Sequence, residues 1–332
     1  MKIFKKIVLL AFGLFLSFCI AELAYRLQWF DFYSTELNGL NSKAVLNSSD
    51  KNRVLVLGDS FSADTNSYVG KLQHRFPQFN FINAAVPGTG ILETNCIAKN
   101  RIERFKPSLI IYQIYIGNDL FDIRKSLNGN ISLSRKIFWW LTDRLLVLRY
   151  INYKAGQLKN TLGINPIHQQ YRNDEIFSVQ SFSSREKLLL RAEPLLIENS
   201  VLLKNGREMD AQVLVNGLRE LNVIVKKENA RLIVLLIPHC AQVNHAYLNK
   251  MEKVGAQFTD KTAIHSLSFP FCVLFKEKLK GEGVEIISPL ESFQQIDTAG
   301  NLLYYQNDIH LNSRGQQVVT DLISSAIRKL KN

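Results

Sequence analysis

Cysteine is scarce in this sequence, and the cysteines present form no recognisable set. The four are Cys19, Cys96, Cys240 and Cys272. No C-x-x-C pair occurs, and no cysteine has a histidine at zinc-finger spacing. Cys19 lies in the N-terminal apolar segment, which leaves an odd three and a poor disulfide framework. We interpret them as small core residues, and the sequence predicts no metal site and no cofactor.

Clustered basic residues are also lacking, although the formal net charge is +12. The first thirty residues hold four basic groups and one acid, so a charge of +9 remains on the rest of the chain. A basic surface suits nucleic acid, anionic lipid or an acidic polymer. No Lys/Arg run or aromatic-interleaved basic motif occurs, so nucleic acid ranks last and we expect none as a partner.

Long apolar runs are absent except at the N-terminus. Three lysines precede "IVLLAFGLFLSFCIA", and the apolar pattern continues to Trp29 and Phe30. This pattern predicts an uncleaved membrane anchor within 1–30. The alternative is a signal peptide cleaved after Ala21, giving a secreted protein. Both place the rest of the chain outside the cytoplasm, in the periplasm or at the cell surface.

Strand and helix patterns alternate after a predicted Asn- and Ser-rich linker at 31–52. The predicted strands are 53–57, 79–86, 108–116, 231–237 and 283–288, and an amphipathic helix is predicted at 313–330. Such alternation is typical of βαβ units around a parallel sheet. No internal repeat or low-complexity segment occurs. The sequence therefore predicts one α/β domain over 53–332.

The segment at about 120–205 interrupts this rhythm after the third strand. It contains "SRKIFWWLTDRLLVLRYINYKAGQL", in which apolar residues such as Ile137 and Trp140 recur near one helical face. We predict a helical insertion here. An ordinary amphipathic packing helix is the simplest interpretation, and a lid or a membrane-facing basic helix is the alternative.

Polar residues follow several predicted strands. These segments are Gly58-Asp59-Ser60, "NAAVPGTG" with Gly88 and Gly90, and Gly117-Asn118-Asp119. A fourth polar segment, "YYQNDIHLNSRG" with Asp308 and His310, comes just before the predicted terminal helix. In a parallel α/β sheet, ligands bind beyond the carboxyl ends of the strands. Singly, each segment reads as a turn, a cap or a surface loop. Together, they predict one site.

These residue types are the ones that acyl transfer requires. A serine such as Ser60 needs a base, usually histidine, to remove its proton. A carboxylate such as Asp308 then orients the His310 imidazole and stabilises its cation. The developing oxyanion needs preformed donors. Candidates are the main-chain N–H groups of Ser60 and Gly88 and the side-chain amide of Asn118.

The chain resembles the SGNH (GDSL-type) hydrolases, a family named for Ser, Gly, Asn and His in four sequence blocks. The matching residues here are Ser60, Gly88, Asn118 and His310. The resemblance covers about 53–119 and 283–330. It implies a flavodoxin-like three-layer α/β/α fold with a central parallel sheet. It also implies an Asp and a His close together near the C-terminus.

The sequence departs from the family pattern at several positions. Asp308 stands two residues before His310 rather than the usual three, which resembles some envelope O-acetyltransferase-like members. GDSF replaces GDSL, and we expect Phe61 to pack. Gly90 is an alternative to Gly88. We expect Asp59 to fix the serine's turn by local hydrogen bonds rather than to join the chemistry.

Three further residues are candidates for substrate contact. His239 follows the fourth predicted strand at the same sheet edge, while Trp139 and Trp140 lie in the insertion. The leading hypothesis is an extracytoplasmic serine esterase that removes a small acyl group, such as acetyl, from a carbohydrate or other envelope substrate. An O-acyltransferase with the same triad is the second hypothesis. A catalytically silent binding domain is the third, and the intact motif residues weigh against it.

Overall fold

A parallel five-stranded sheet forms the centre of the molecule. The structure, a computed structural model, describes residues 2–27, 37, 40–47, 52–124, 131–148, 150, 151, 155, 158, 176–297 and 301–329. The strands are β1 (Arg53–Leu57), β2 (Asn80–Asn83), β3 (Leu109–Tyr115), β4 (Arg231–Ile237) and β5 (Val284–Ile287). Their order is β2-β1-β3-β4-β5, and all pairs are parallel. This is the flavodoxin-like order, so the predicted α/β fold class is confirmed.

Fourteen α-helices lie within the described residues. In chain order they are α1 (Lys2–Arg26), α2 (Lys43–Asn47), α3 (Tyr68–Arg75), α4 (Ile91–Phe105), α5 (Asp119–Arg124), α6 (Leu133–Arg144), α7 (Ser184–Ala192), α8 (Leu196–Leu202), α9 (Arg207–Lys227), α10 (His245–Val254), α11 (Lys261–Ile264), α12 (Pro270–Lys278), α13 (Leu290–Ile296) and α14 (Ser313–Lys329). Helices α5 to α8 occupy the described part of the predicted insertion. Most residues from 152 to 175 lie outside the described ones.

The central strands are apolar because both of their faces are covered. Every residue of β3 is buried, and every residue of β4 after Arg231 is buried. Helices on the two faces exclude water from such strands, which therefore read as continuous runs of Val, Ile and Leu. Edge strand β5 is only partly buried. The ends of β1 and β3 are consequently rigid positions from which loops can present side chains.

The N-terminal helix α1 has most of its apolar side chains exposed. Among the described residues it contains the single span, Lys2–Ala24, that is long and apolar enough to cross a membrane, with a mean hydropathy of 2.4. The described residues of the predicted linker contact β2. Asn41 Nδ2 donates to the Asn83 carbonyl at 2.8 Å, and Asn83 N donates back to Asn41 Oδ1 at 2.7 Å. The linker prediction otherwise lies outside the described residues.

Helix α6 packs on α4 through two ion pairs. Arg135 contacts Glu93 at 2.8 Å, and Arg101 contacts Asp143 at 3.2 Å. The partners are eight residues apart in both helices and follow the same order, so α4 and α6 run in the same direction. The Arg101–Asp143 pair is buried, with both side chains 2% exposed. Arg101 also donates to the Ala84 carbonyl just after β2 at 2.5 Å.

Candidate active site

Ser60 lies in a sharp turn after β1, and the backbone of this turn requires a glycine at position 58. Gly58 has φ +147°, and a Cβ at this position would lie 2.7 Å from Gln113 Oε1. That oxygen accepts from Asp59 N at 3.2 Å and from the Ser62 hydroxyl at 3.1 Å. Asp59 Oδ1 accepts from Phe61 N at 3.0 Å. The local hydrogen bonds predicted for Asp59 are therefore present, and burial raises the pKa of its carboxyl.

His310 lies against Ser60 although 250 residues separate them in the sequence. Ser60 Oγ is 2.9 Å from His310 Nε2. On the other side of the ring, His310 Nδ1 contacts Asp308 Oδ1. A carboxylate can only accept, so this contact places the ring proton on Nδ1. The Nε2 lone pair is then free to accept the serine proton, which is the arrangement of a Ser-His-Asp triad.

The short spacing between Asp308 and His310 has a local explanation. Asp308 Oδ1 also accepts from the main-chain N–H of His310 at 2.9 Å. An aspartate that accepts from the N–H two residues later forms an Asx-turn. One carboxylate oxygen thus fixes both the backbone and the ring of the histidine. The D-x-H departure from the family pattern preserves the carboxylate–imidazole contact.

The serine loop (residues 58–68) and the residues around His310 are held together by aromatic and amide contacts. The buried Phe61 ring stacks on His310 with 4.6 Å between centroids and on Tyr115 with 4.2 Å. Gln316 of α14 accepts from Tyr68 N at 2.9 Å and donates to the Phe61 carbonyl at 3.4 Å. Phe61 packs as expected, and it packs directly on the candidate base.

The candidate oxyanion donors differ in their surroundings. No described group accepts from the main-chain N–H of Ser60 or Gly88, and Gly88 is exposed with φ +72°. The N–H of Gly90 donates to Glu93 Oε2 at 3.2 Å, so Gly88 is the better candidate of the two. Asn118 Nδ2 donates to Asp122 Oδ2 at 3.3 Å. This contact uses one of the two amide hydrogens and orients the group.

His239 follows β4, but its side chain is buried in the protein interior and does not lie beside Ser60. Its side chain is 2% exposed, and its Nδ1 accepts from Ala241 N at 3.1 Å. Burial lowers its pKa to about 3, so the ring is neutral. Its ring stacks on Tyr115 at 5.9 Å, which puts Tyr115 and Phe61 between it and His310. Its predicted substrate contact has no support in these contacts.

Trp139 and Trp140 lie on α6, on the outer side of α4. Trp139 is partly buried, and its Nε1 has no hydrogen-bond partner among the described residues. Trp140 is exposed, with the Arg144 guanidinium 4.6 Å from its ring centroid. No described contact joins either tryptophan to the residues around Ser60. Their contact with substrate stays a prediction.

The sequence analysis missed two polar residues that hold the serine loop and one carboxyl that lies near Asp308 and His310. Gln113 holds the serine loop from within β3, and Gln316 ties that loop to α14. Glu186 of α7 lies within electrostatic range of Asp308 and His310, and burial raises its pKa to about 7. A glutamine inside the apolar run "LIIYQIY" was the available signal for Gln113. Nothing local marks Glu186, which reaches the site only through the fold.

Comparisons with known proteins give a match in structure but none in sequence. No family model and no curated protein matches the sequence. TesA is 14% identical with a TM-score of 0.41, covering 84% of this chain and 99% of that one. A GDSL-like lipase from Bacteroides thetaiotaomicron VPI-5482 is 10% identical with a TM-score of 0.42, covering 90% and 96%. A catalytic mutant of an acetylxylan esterase from Geobacillus stearothermophilus has the same identity and TM-score, covering 83% and 94%.

These similarities are low in both identity and TM-score. The structures that the chain is similar to include GDSL-type hydrolases. The parallel sheet of this chain, with strand order β2-β1-β3-β4-β5, gives the α/β fold class independently of these structures.

Proposed function

We propose that this protein is a serine hydrolase that acts on ester bonds. The observation that carries the proposal is the run of contacts from Ser60 Oγ through the His310 ring to Asp308. An imidazole whose Nδ1 proton is held by a carboxylate is a base for the hydroxyl at its Nε2. The loops that hold these groups come from the two ends of the domain, so a chance local motif does not explain their meeting.

The proposed reaction has two halves, each with proton transfer through His310. Ser60 Oγ attacks the acyl carbon while His310 Nε2 takes its proton, and the tetrahedral intermediate forms. His310 then gives that proton to the leaving alcohol, and an acyl-serine remains. In the second half, His310 Nε2 takes a proton from a water molecule as its oxygen attacks the acyl carbon, and a second tetrahedral intermediate forms. His310 then returns that proton to Ser60 Oγ as the bond between the acyl carbon and Oγ breaks, and the free acid leaves.

Three donors are proposed to bind the oxyanion of each tetrahedral intermediate. They are the main-chain N–H groups of Ser60 and Gly88 and the Asn118 amide. The contact between Asn118 and Asp122 supports this role because it fixes the amide before substrate arrives. Preorganised donors of this kind stabilise developing charge without reorganisation.

The substrate is proposed to be a small acyl ester, such as acetyl, on a carbohydrate or other envelope molecule. The support is the apolar helix α1, which is proposed to anchor the chain in a membrane with its domain outside the cytoplasm. The charge of +9 beyond the first thirty residues suits an anionic surface or polymer. If a sugar hydroxyl replaces water in the second half-reaction, the same groups perform O-acyl transfer.

Replacement of the nucleophile tests the proposal directly. Ser60→Ala removes the attacking oxygen, so we expect no cleavage of p-nitrophenyl acetate above the uncatalysed rate and no labelling by a fluorophosphonate probe. Ser325→Ala, an exposed serine on α14, is the matched control and is expected to retain both properties. Cleavage that persists in Ser60→Ala, or a labelled peptide from elsewhere, would contradict the triad. Product analysis with an oligosaccharide acceptor separates free acid from acylated sugar.

A further inference from the structure

Helix α6 carries an apolar stripe that the domain leaves uncovered. Leu133, Ile137 and Trp140 are 73%, 48% and 49% exposed. Their spacing of i, i+4 and i+7 places them on one side of the helix. Asp143, at a different angle around the helix axis, is buried and pairs with Arg101 of α4. The stripe is therefore a surface that the described domain does not use for its own packing.

The residues that follow the C-terminal end of α6 lie beside the C-terminal end of α1. The Glu22 carboxylate accepts from Leu146 N at 3.2 Å and from Val147 N at 3.0 Å. Residues 146–148 begin the helical stretch that follows α6. A carboxylate at the first N–H groups of a helix satisfies donors that have no partner within the helix. Glu22 is itself buried, so this contact fixes the two segments together.

The position of Glu22 in α1 indicates the depth, relative to a membrane, at which α1 contacts residues 146 and 147. The apolar span Lys2–Ala24 has 23 residues, which corresponds to roughly 35 Å of helix, enough for a hydrocarbon core of about 30 Å. Glu22 is near the end of the span. In a bilayer its carboxylate, and the Leu146 and Val147 amides bound to it, would therefore lie at the level of the lipid headgroups.

We propose that the stripe of Leu133, Ile137 and Trp140 lies in the headgroup region of the same bilayer that α1 crosses. The inference rests on the membrane anchoring proposed above, but not on the esterase activity. Cations flank the stripe: Lys136 is exposed, and Arg144 covers the Trp140 ring. An apolar face bordered by an aromatic ring and basic groups is the pattern of helices that lie at the surface of anionic membranes.

The orientation of the domain follows from this contact. Helix α6 is fixed to α4 by the buried Arg101–Asp143 pair, and α4 begins at the Gly88–Gly90 loop. A helix bound flat on the lipid would hold the whole domain at one angle to the membrane. The contact between α6 and the lipid would then attach the domain to the membrane at a second point, in addition to α1.

Site-specific fluorescence in vesicles tests the contact. The full chain, with Cys19 and Cys96 replaced by alanine, carries an NBD label at Ile137→Cys in vesicles of phosphatidylcholine and phosphatidylglycerol. We expect a blue-shifted emission that spin-labelled lipids quench at least twofold. Met209→Cys on α9 is the matched control, because Met209 is also an exposed apolar side chain on a helix. Its label is expected to remain in water and unquenched.

A label at Phe12→Cys, in the middle of α1, separates the possible failures. If lipids quench position 12 but position 137 behaves like position 209, the stripe proposal is wrong while the anchor stands. If the label at position 12 is also unquenched, the membrane anchoring on which the inference rests is wrong. The proposal that the protein is an esterase does not depend on that result. A blue shift at position 137 that depends on protein concentration and not on lipid would assign the stripe to a second copy of the chain and overturn the proposal.

Discussion

At the scale of single residues, the proposed mechanism separates the groups that transfer a proton from the groups that only stabilise negative charge. His310 contacts Ser60 on one side of its ring and Asp308 on the other. Asn118 instead has its amide held by Asp122, with no part in proton transfer. The two kinds of residue are therefore expected to differ in how much activity depends on them.

Substitution of His310 and of Asn118 should show this difference. His310→Ala removes the base and is expected to lower turnover nearly as far as Ser60→Ala, since only binding and the oxyanion donors remain. Asn118→Ala removes one donor and is expected to lower kcat by roughly 10²–10³. Steady-state kinetics on an activated ester measures both. A larger loss in His239→Ala than in His310→Ala would mean that the wrong base has been assigned.

Glu186 gives a pH dependence of stability. Burial is the main cause that raises its pKa from 4.5 to about 7, with the Asp308 charge adding to the rise and Arg185 opposing it. The unfolded chain releases this proton at lower pH than the folded chain does. The contribution of Glu186 is therefore full below about pH 4.5 and is lost as the pH rises through about 7.

Glu186→Gln is accordingly expected to gain stability relative to the natural chain between about pH 5 and about pH 8. Thermal unfolding of the detergent-solubilised full chain at both pH values measures the difference. Glu208→Gln on α9, an exposed glutamate, is the control and is expected to show no such trend. A Glu186→Gln variant whose relative stability is the same at both pH values would contradict the argument.

The three side chains in contact at the candidate site could be predicted from the sequence, whereas the residues that hold them in place could not. Ser60, Asp308 and His310 could be named because each follows a recognisable strand or precedes a recognisable helix, and the structure brings them together. Gln113 and Glu186 could not, since their positions depend on strand pairing and on the packing of α7. The strand end placed His239 at the edge of the sheet but did not say whether its side chain is exposed, and the structure buries it.

At the scale of secondary structure, β1 and β4 were predicted with their observed bounds, while β2 was predicted four residues too long. Residues 84–86 continue the apolar pattern, but they turn into the loop of Gly88. The apolar face predicted for α6 was the more instructive case. Periodicity identified the face, but it could not tell whether protein or another apolar phase covers it.

The attachment of α6 to α4 gives a prediction at this scale. Asp143→Ala would leave the buried Arg101 guanidinium without its carboxylate, and loss of one partner of a buried pair costs about 3–5 kcal/mol. Arg135→Ala breaks the more exposed pair with Glu93, which is worth about 0–1 kcal/mol. Urea unfolding of the detergent-solubilised chain compares the two variants. Equal losses would show that the Arg101–Asp143 pair does not hold α6 in place.

At the scale of the whole molecule, the direction in which the proposed anchor α1 crosses the membrane would decide which compartment the domain occupies. The three lysines before the apolar run are expected to keep the N-terminus in the cytoplasm. A reporter that is active only outside the cytoplasm, fused after Asn332, should therefore be active. A reporter active only in the cytoplasm, fused at the same residue, should be silent. The reverse result would remove the argument for an envelope substrate.

The residues from Tyr304 to Leu311 form a closed loop that carries Asp308 and His310. Tyr304 and Leu311 close it by an antiparallel bridge, and Tyr305 N donates to the His310 carbonyl at 3.0 Å. Because one oxygen of Asp308 holds both the main-chain N–H and the ring of His310 inside this closed loop, the arrangement of the two side chains is encoded within eight consecutive residues. One residue inserted between Asp308 and His310 would remove the Asx-turn, and with it the contact that places the ring proton on Nδ1.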